Sequence, residues 1–176
     1  MAASPKQAKL FQCVRIVKFQ YLALLLQAGD YMCELINEAS KYGKVNVRKM
    51  NIDLCCKKIE EEGYSVFVAF YDFIKKYGGL YGFHSAYKDT TISEAFFIDP
   101  ERASNRIFIE RVNDYIERAG YNMIPVGECS NGHITLLYGE NNVIYGGLDD
   151  YLWKYGDNLS SSIDILINGK EAVEIP

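Results

Sequence analysis

The spacing of hydrophobic residues in the first half of the chain is mainly helical. Residues 10–28 carry apolar side chains at every third or fourth position, which predicts a surface helix that packs one face (Leu10, Val14, Val17, Tyr21, Leu24, Ala28). Similar stripes predict helices over residues 50–62 and 65–77, the second with Phe67, Phe70, Ile74 and Tyr77 on its buried face. We expect Gly63 to end the first of these helices, and Gly78, in a left-handed conformation, to end the second.

Beyond residue 91 the apolar period changes to two, which is typical of strands. Residues 92–98 alternate and predict a strand that Asp99-Pro100 ends. Residues 101–119 predict one helix with Phe108, Val112, Tyr115 and Ala119 on one side. A short strand is predicted over residues 123–126. Because proline cannot donate to a sheet ladder, Pro125 indicates an edge strand or a bulge.

The last third of the chain predicts a hairpin and a terminal helix. Residues 134–138 and 143–145 flank the turn Gly139-Glu140-Asn141-Asn142. A helix with Leu159, Ile163, Leu166 and Ile167 is predicted between an N-cap at Asp157 and a stop at Gly169. Helices first, then strands that two helices separate, predict an α+β domain with a mostly antiparallel sheet. The length of 176 residues suits a single domain, 1–176.

Composition is that of an ordinary globular chain, but the charge is unevenly distributed. Residues 1–91 carry 13 Lys/Arg and 9 Asp/Glu, hence +4, whereas residues 92–176 carry 6 and 14, hence −8. This acidity argues against nucleic-acid binding, which requires a basic patch. It suits a basic protein partner, although an acidic surface also serves solubility alone. The 14 tyrosines and 9 phenylalanines fit either a sheet or a half-wet interface.

Cysteine usage and hydropathy exclude several classes of site. The five cysteines (13, 33, 55, 56 and 129) show no Cys-x-x-Cys spacing, and the sequence contains only two histidines. We therefore expect no metal site and no disulfide framework, and we expect reduced thiols in a cytoplasm. No phosphate-binding motif is present, and we expect no cofactor. No run approaches the roughly 20 apolar residues that span a bilayer. Cys129 and His133 could meet only if residues 130–132 formed a turn, and we expect a loop thiol instead of a catalytic pair.

Four short motifs in a fixed order suggest a family. They are Tyr77-Gly78-Gly79-Leu80, Asp99-Pro100, Pro125-Val126-Gly127-Glu128, and a hairpin that ends in Tyr145-Gly146-Gly147. In this order they resemble the SUKH superfamily, in particular its third subgroup, which consists largely of bacterial immunity proteins that neutralise polymorphic toxins. The resemblance covers residues 48–169, whereas residues 1–47 match poorly and would form a helical N-terminal extension. It implies a central sheet with helices packed around it.

The resemblance also implies a function, namely non-catalytic binding of a cognate toxin domain, for example a nuclease or another basic effector. Aromatic residues are frequent at the energetic centres of interfaces, and acidic residues beside them would suit a basic partner. We therefore predict a partner-binding set near the acidic end and on the Pro-Val-Gly-Glu strand: Glu128, His133, Tyr145, Asp149, Asp150, Tyr151, Trp153 and Tyr155. Glu128 and Trp153 could equally lie in the core. Alternative functions are a regulatory or scaffolding module of the same fold and, less favoured, a small thiol- or carboxylate-dependent enzyme.

Overall fold

The computed structural model describes residues 45–89 and 91–176, which belong to one compact unit. The helix predicted over residues 10–28, Cys13, Cys33 and nearly all of the predicted N-terminal extension lie outside the described residues. The strands are β1 (Val45–Val47), β2 (Leu80–Ser85), β3 (Ser93–Ile98), β4 (Met123–Cys129), β5 (Ile134–Gly139), β6 (Ile144–Leu148), β7 (Tyr151–Tyr155) and β8 (Val173–Ile175). The helices are α1 (Ile52–Glu61), α2 (Val68–Tyr77), α3 (Pro100–Ser104), α4 (Ile109–Ala119) and α5 (Leu159–Asn168).

The strands form one sheet in which spatial order follows chain order, β1 to β8, and every neighbouring pair is antiparallel. This confirms the predicted α+β class and the antiparallel sheet. The predicted hairpin is also confirmed, since β5 and β6 pair on either side of residues 140–143. β4 lies between β3 and β5, so Pro125 is not on an edge strand. It sits instead at a β-bulge, where the register with β5 shifts between Pro125 and Gly127.

The two faces of the sheet carry different helices. Residues opposite each other in an antiparallel pair share a face, and neighbours along a strand alternate. Tyr138 and Ile144 are such a pair, and the ring of Phe73 in α2 stacks on Tyr138 with centroids 4.3 Å apart. α5 also packs on this side, and we call it the α2/α5 face. Glu128 and Gly147 point to the other side, the α3/α4 face, where α3 and α4 lie.

Large apolar side chains explain why the helices dock. Phe70, Phe73 and Ile74 of α2 are at most 2% exposed, and burial of each such side chain is worth about 1.5–3 kcal/mol relative to exposure. In α4 the buried positions are Val112 and Tyr115. The stripes that predicted these helices therefore do face the core.

The predicted helix over residues 101–119 is wrong in one respect, because the chain forms two helices there. α3 ends at Ser104 and α4 begins only at Ile109. The hydroxyl of Ser104 and the amide of Asn105 both donate to the carbonyl of Glu101, at 3.3 and 2.7 Å, in competition with a continuing helix. Phe108 precedes α4 and is 81% exposed, so it does not belong to the buried stripe.

Two predicted helix caps differ in detail. Gly78 does cap α2, but with φ of −58°, and the left-handed backbone, with φ of +82°, belongs to the next residue, Gly79. A Cβ on Gly79 would also lie 1.9 Å from the carbonyl oxygen of Arg48. Asn158, not Asp157, caps α5, since its side chain and that of Ser161 form a reciprocal capping box. Asp157 instead pairs with Lys154 at 2.6 Å.

Candidate functional site

A cleft of about 720 Å³ lies on the α2/α5 face. It lies where the end of α5 meets β7 and β8. Its walls include three aromatic side chains, three carboxylates and two lysines (Tyr87, Trp153, Tyr155; Glu94, Glu171, Glu174; Lys88, Lys170). Trp153 and Tyr155, which the sequence analysis selected as partner anchors, therefore lie together at one site.

An aromatic stripe along β7 lines the cleft with Trp153 and Tyr155 and continues beyond its lining with Tyr151. Tyr151, Trp153 and Tyr155 alternate with Leu152 and Lys154, so the three rings share a face. The rings of Tyr151 and Trp153 stack with centroids 5.6 Å apart and planes 11° apart. Tyr151 is 53% exposed and Trp153 is half-buried, whereas Tyr155 is buried with its hydroxyl 3.3 Å from Sγ of Cys129. The accessible part of the stripe is thus the Tyr151–Trp153 pair.

The three carboxylates of the cleft form no ion pair within residues 45–89 and 91–176, and two of them accept hydrogen bonds. Glu94 accepts from the Ser130 hydroxyl at 3.1 Å, and Glu171 accepts from the Tyr87 hydroxyl at 2.7 Å. The bond to Glu171 raises the pKa of Tyr87. Of the two lysines of the cleft, Lys170 pairs with Asp164 at 2.5 Å, and the Lys88 ammonium lies 5.6 Å from the centroid of the Tyr87 ring. The three carboxylates therefore outnumber the lysines that could offset them. The site therefore presents negative charge beside an aromatic wall.

Two of the predicted anchors occupy other environments. Tyr145 is only 2% exposed, and its hydroxyl accepts from Asn141 at 2.8 Å, so its ring belongs to the core. His133 follows the 3-10 turn Ser130–Gly132 with its side chain exposed. Neither ring lines the cleft.

The predicted acidic residues Asp149 and Asp150 form the turn between β6 and β7. Both residues are exposed, but two side chains of α4 contact the turn. The Tyr115 hydroxyl donates to the carbonyl of Asp149 at 2.7 Å, and Arg111 pairs with the Asp150 carboxylate at 3.0 Å. Within residues 45–89 and 91–176 the Asp149 carboxylate therefore forms no ion pair, whereas the charge of Asp150 is partly balanced.

Glu128 lies on the opposite, α3/α4 face and has partners that the sequence did not indicate. It is 1% exposed, and its two oxygens are 2.7 Å from Nε of Arg102 and 2.8 Å from Nη1 of Arg106. Arg102 forms an ion pair with Oε2 of Glu128, but the angles at this contact do not meet those of a hydrogen bond. The ion-pair partners of this predicted partner-binding residue are thus two arginines. The one available signal was their spacing of four residues just after Asp99-Pro100.

The geometry around Cys129 disfavours thiol chemistry. Residues 130–132 do form the turn that a Cys129–His133 pair would need. However, Cys129 is 2% exposed, and burial raises the pKa of its thiol to about 12. Such a group is almost entirely protonated at neutral pH, while nucleophilic cysteines are thiolates. In the described part of the chain no three His, Cys, Asp or Glu side chains converge as a metal site would require.

Residues 41–169 match the family model of the SUKH-3 immunity proteins. The chain belongs to this family. The resemblance drawn from the four motifs is thereby confirmed. No curated protein and no solved structure matches the chain significantly. Across the residues that the structure describes, no helix is long and apolar enough to cross a membrane.

Steric and electrostatic contacts explain why two of the motifs of this SUKH-3 protein contain glycine and glutamate. In Pro-Val-Gly-Glu, a Cβ on Gly127 would lie 2.0 Å from the carbonyl oxygen of Phe97, so only glycine lets β3 and β4 approach. The glutamate is the buried member of the two-arginine cluster. At the end of the hairpin, a Cβ on Gly147 would lie 2.3 Å from the ring of Tyr115. These motif positions build the fold, and the accessible cleft lies apart from them.

Proposed function

We propose that this immunity protein neutralises a cognate toxin domain by stoichiometric, non-catalytic binding, with the cleft and the adjoining Tyr151–Trp153 pair as the docking site. The protein would act in the bacterial cytoplasm. Membership of the SUKH-3 family supports the immunity role. The observation that carries the location is that a partly exposed aromatic pair, of which Trp153 lines the cleft, adjoins three carboxylates that form no ion pair within the described residues and outnumber the two lysines of the cleft.

The aromatic pair suits the energetic centre of an interface. Trp and Tyr bury large areas while losing little side-chain entropy, and they dominate the residues whose truncation weakens binding most. Tyr151 and Trp153 are already stacked on a strand within the sheet, so binding need not order them. A partner that covered the pair would gain their apolar area at low cost.

The charge around the pair suits a basic partner. Glu94, Glu171 and Glu174 line the cleft, and Asp149 projects from the adjoining turn. Complementary charge at the rim accelerates association more than it adds affinity. A toxin domain with a basic surface, as nucleases have, would thus be steered to the cleft.

The test is binding to the toxin domain itself. The tagged protein would be isolated from its host, the bound partner identified, and the complex rebuilt from purified components to measure stoichiometry and loss of toxin activity. Trp153→Ala should weaken the complex by about 2 kcal/mol, roughly thirtyfold, with little salt dependence. Because Trp153 is the only tryptophan, its fluorescence should also change when the toxin domain binds.

Phe108→Ala is the matched control, since Phe108 is 81% exposed but lies before α4, outside the cleft. It should leave the affinity unchanged. Equal affinities for parent and Trp153→Ala would remove the cleft from the interface. A partner that is no toxin, with physiology disturbed in cells that carry none, would favour the regulatory alternative.

A further inference from the structure

We propose that the opposite side of the sheet carries a second docking surface, which binds a protein segment with carboxylate side chains. This arginine surface consists of Tyr81, Phe83, Phe97, Arg102 and Arg106. It is distinct from the cleft and goes beyond the toxin-binding role.

The strand register places these side chains on one face. Tyr81 lies opposite Phe97, and Phe97 lies opposite Glu128, so the three share the α3/α4 face. Phe83 follows Tyr81 by two residues and points the same way. The next residue after Glu128 is Cys129, which faces the cleft on the other side. β4 therefore separates the two sites.

The two guanidinium groups are held in place but not used up. Glu128 engages one nitrogen of each, yet the side chains of Arg102 and Arg106 remain 45% and 51% exposed. A guanidinium has five N–H donors, so most donors of both groups are available to a ligand. Because the buried carboxylate already fixes both groups, binding of an anion would cost little side-chain entropy.

The aromatic residues supply the apolar part of the surface. The Tyr81 and Phe97 rings stack with centroids 6.2 Å apart, and the Arg102 guanidinium lies over the Phe97 ring, 4.8 Å from its centroid. Phe83 is 51% exposed beside them. Arginine stacked on an aromatic ring, with further aromatic area nearby, is a typical composition of a protein–protein contact and not of a small-ion site.

Charge complementarity selects the occupant. Two arginines share one carboxylate, which leaves one positive charge in excess. The neighbouring carboxylates do not cancel this excess positive charge, because Asp99 pairs with Arg48 and Glu101 pairs with Lys58. Guanidinium groups bind carboxylates in a bidentate manner. The surface therefore fits an acidic segment of a partner protein, whereas the cleft fits a basic one.

The experiment follows the Nε–H signals of Arg102 and Arg106 by NMR in the full chain. An acetylated, amidated tetraglutamate peptide should shift both signals saturably, and the matched tetraglutamine peptide should not. Inorganic phosphate should bind more weakly than tetraglutamate, because it lacks the contact with the aromatic residues. Phe83→Ala should lower the affinity for tetraglutamate about fivefold, and Phe108→Ala should leave it unchanged.

Glu128→Gln separates positioning from simple attraction. It makes the surface more positive, so attraction alone predicts tighter binding of tetraglutamate. If Glu128 positions the arginines, the affinity should instead fall about fivefold. Tighter binding to Glu128→Gln, no shift of the two Nε–H signals, or equal affinity for phosphate and tetraglutamate would each overturn the proposal. None of these measurements uses the toxin domain, so their failure would leave the proposed role of the cleft standing.

Discussion

The cluster of Glu128 with Arg102 and Arg106 allows a quantitative test of what holds α3 against the sheet. We consider the double substitution Arg102→Ala and Arg106→Ala. It removes both cations and leaves a carboxylate that is 1% exposed in the parent protein. The triple variant, which adds Glu128→Gln, removes the orphaned charge while keeping its shape.

The expected cost follows from burial. Breaking a buried pair by removing one side costs about 3–5 kcal/mol, because an uncompensated charge remains. Here both arginine side chains are about half exposed, and their truncation admits water to Glu128, so we expect a smaller cost than for a fully buried pair, about 2–3 kcal/mol. The loss of the Arg102–Phe97 contact is included in this figure. The triple variant should regain at least half of the loss.

Urea unfolding followed by circular dichroism measures these free energies. For a chain of this size each kcal/mol also lowers Tm by about 2–4 °C, so the double variant should melt about 4–12 °C below the parent. Arg111→Ala is the control, since its pairing with Asp150 is exposed and worth under about 1 kcal/mol. A double variant within 0.5 kcal/mol of the parent, or a triple variant no more stable than the double, would refute the argument.

Three further outcomes are expected. Gly127→Ala should lower the free energy of unfolding by about 1–3 kcal/mol in urea titrations, because its Cβ would meet the carbonyl oxygen of Phe97 at 2.0 Å; a change near zero would contradict this. Burial raises the pKa of both Cys55 and Cys129 from 9.0 to about 12. The contribution of the two thiols to the free energy of unfolding should therefore be fully present below pH 9 and should be lost as the pH rises towards 12. The decline should be less steep in Cys129→Ala. Asp149→Lys should slow association with a basic toxin domain, and the difference should shrink above ~0.15 M salt; equal association rates at low salt would exclude the turn from the interface.

Local pattern predicted most of the fold. The stripes of α2 and α5 and the β5–β6 hairpin are coded by neighbouring residues, so periodicity and turn chemistry were sufficient. The strands β1 and β8 have three residues each, too few for a period to show. They are strands because β2 and β7 pair with them, which is a tertiary cause.

The site was predictable only in part for the same reason. Tyr151 and Trp153 share a face because they are two residues apart on a strand, which the sequence could suggest. The partners of Glu128 lie 22 and 26 residues away in the chain and are brought close by the packing of α3 on β4. Tyr145 also illustrates the limit, because the same alternation fits a core ring and an exposed one, and only packing decides between them.

Charge pairing changes what the acidic end of the chain offers to a partner. Of the eight carboxylates from Glu128 onward, four form ion pairs (Glu128, Asp150, Asp157, Asp164), while four form none within the described part of the chain (Glu140, Asp149, Glu171, Glu174). Glu171 and Glu174 line the cleft, as does Glu94. The excess positive charge of Arg102 and Arg106 lies on the other face of β4. The sheet thus separates opposite charges. If the proposed toxin domain is basic, such a field would orient it before contact, towards the cleft and away from the arginine surface.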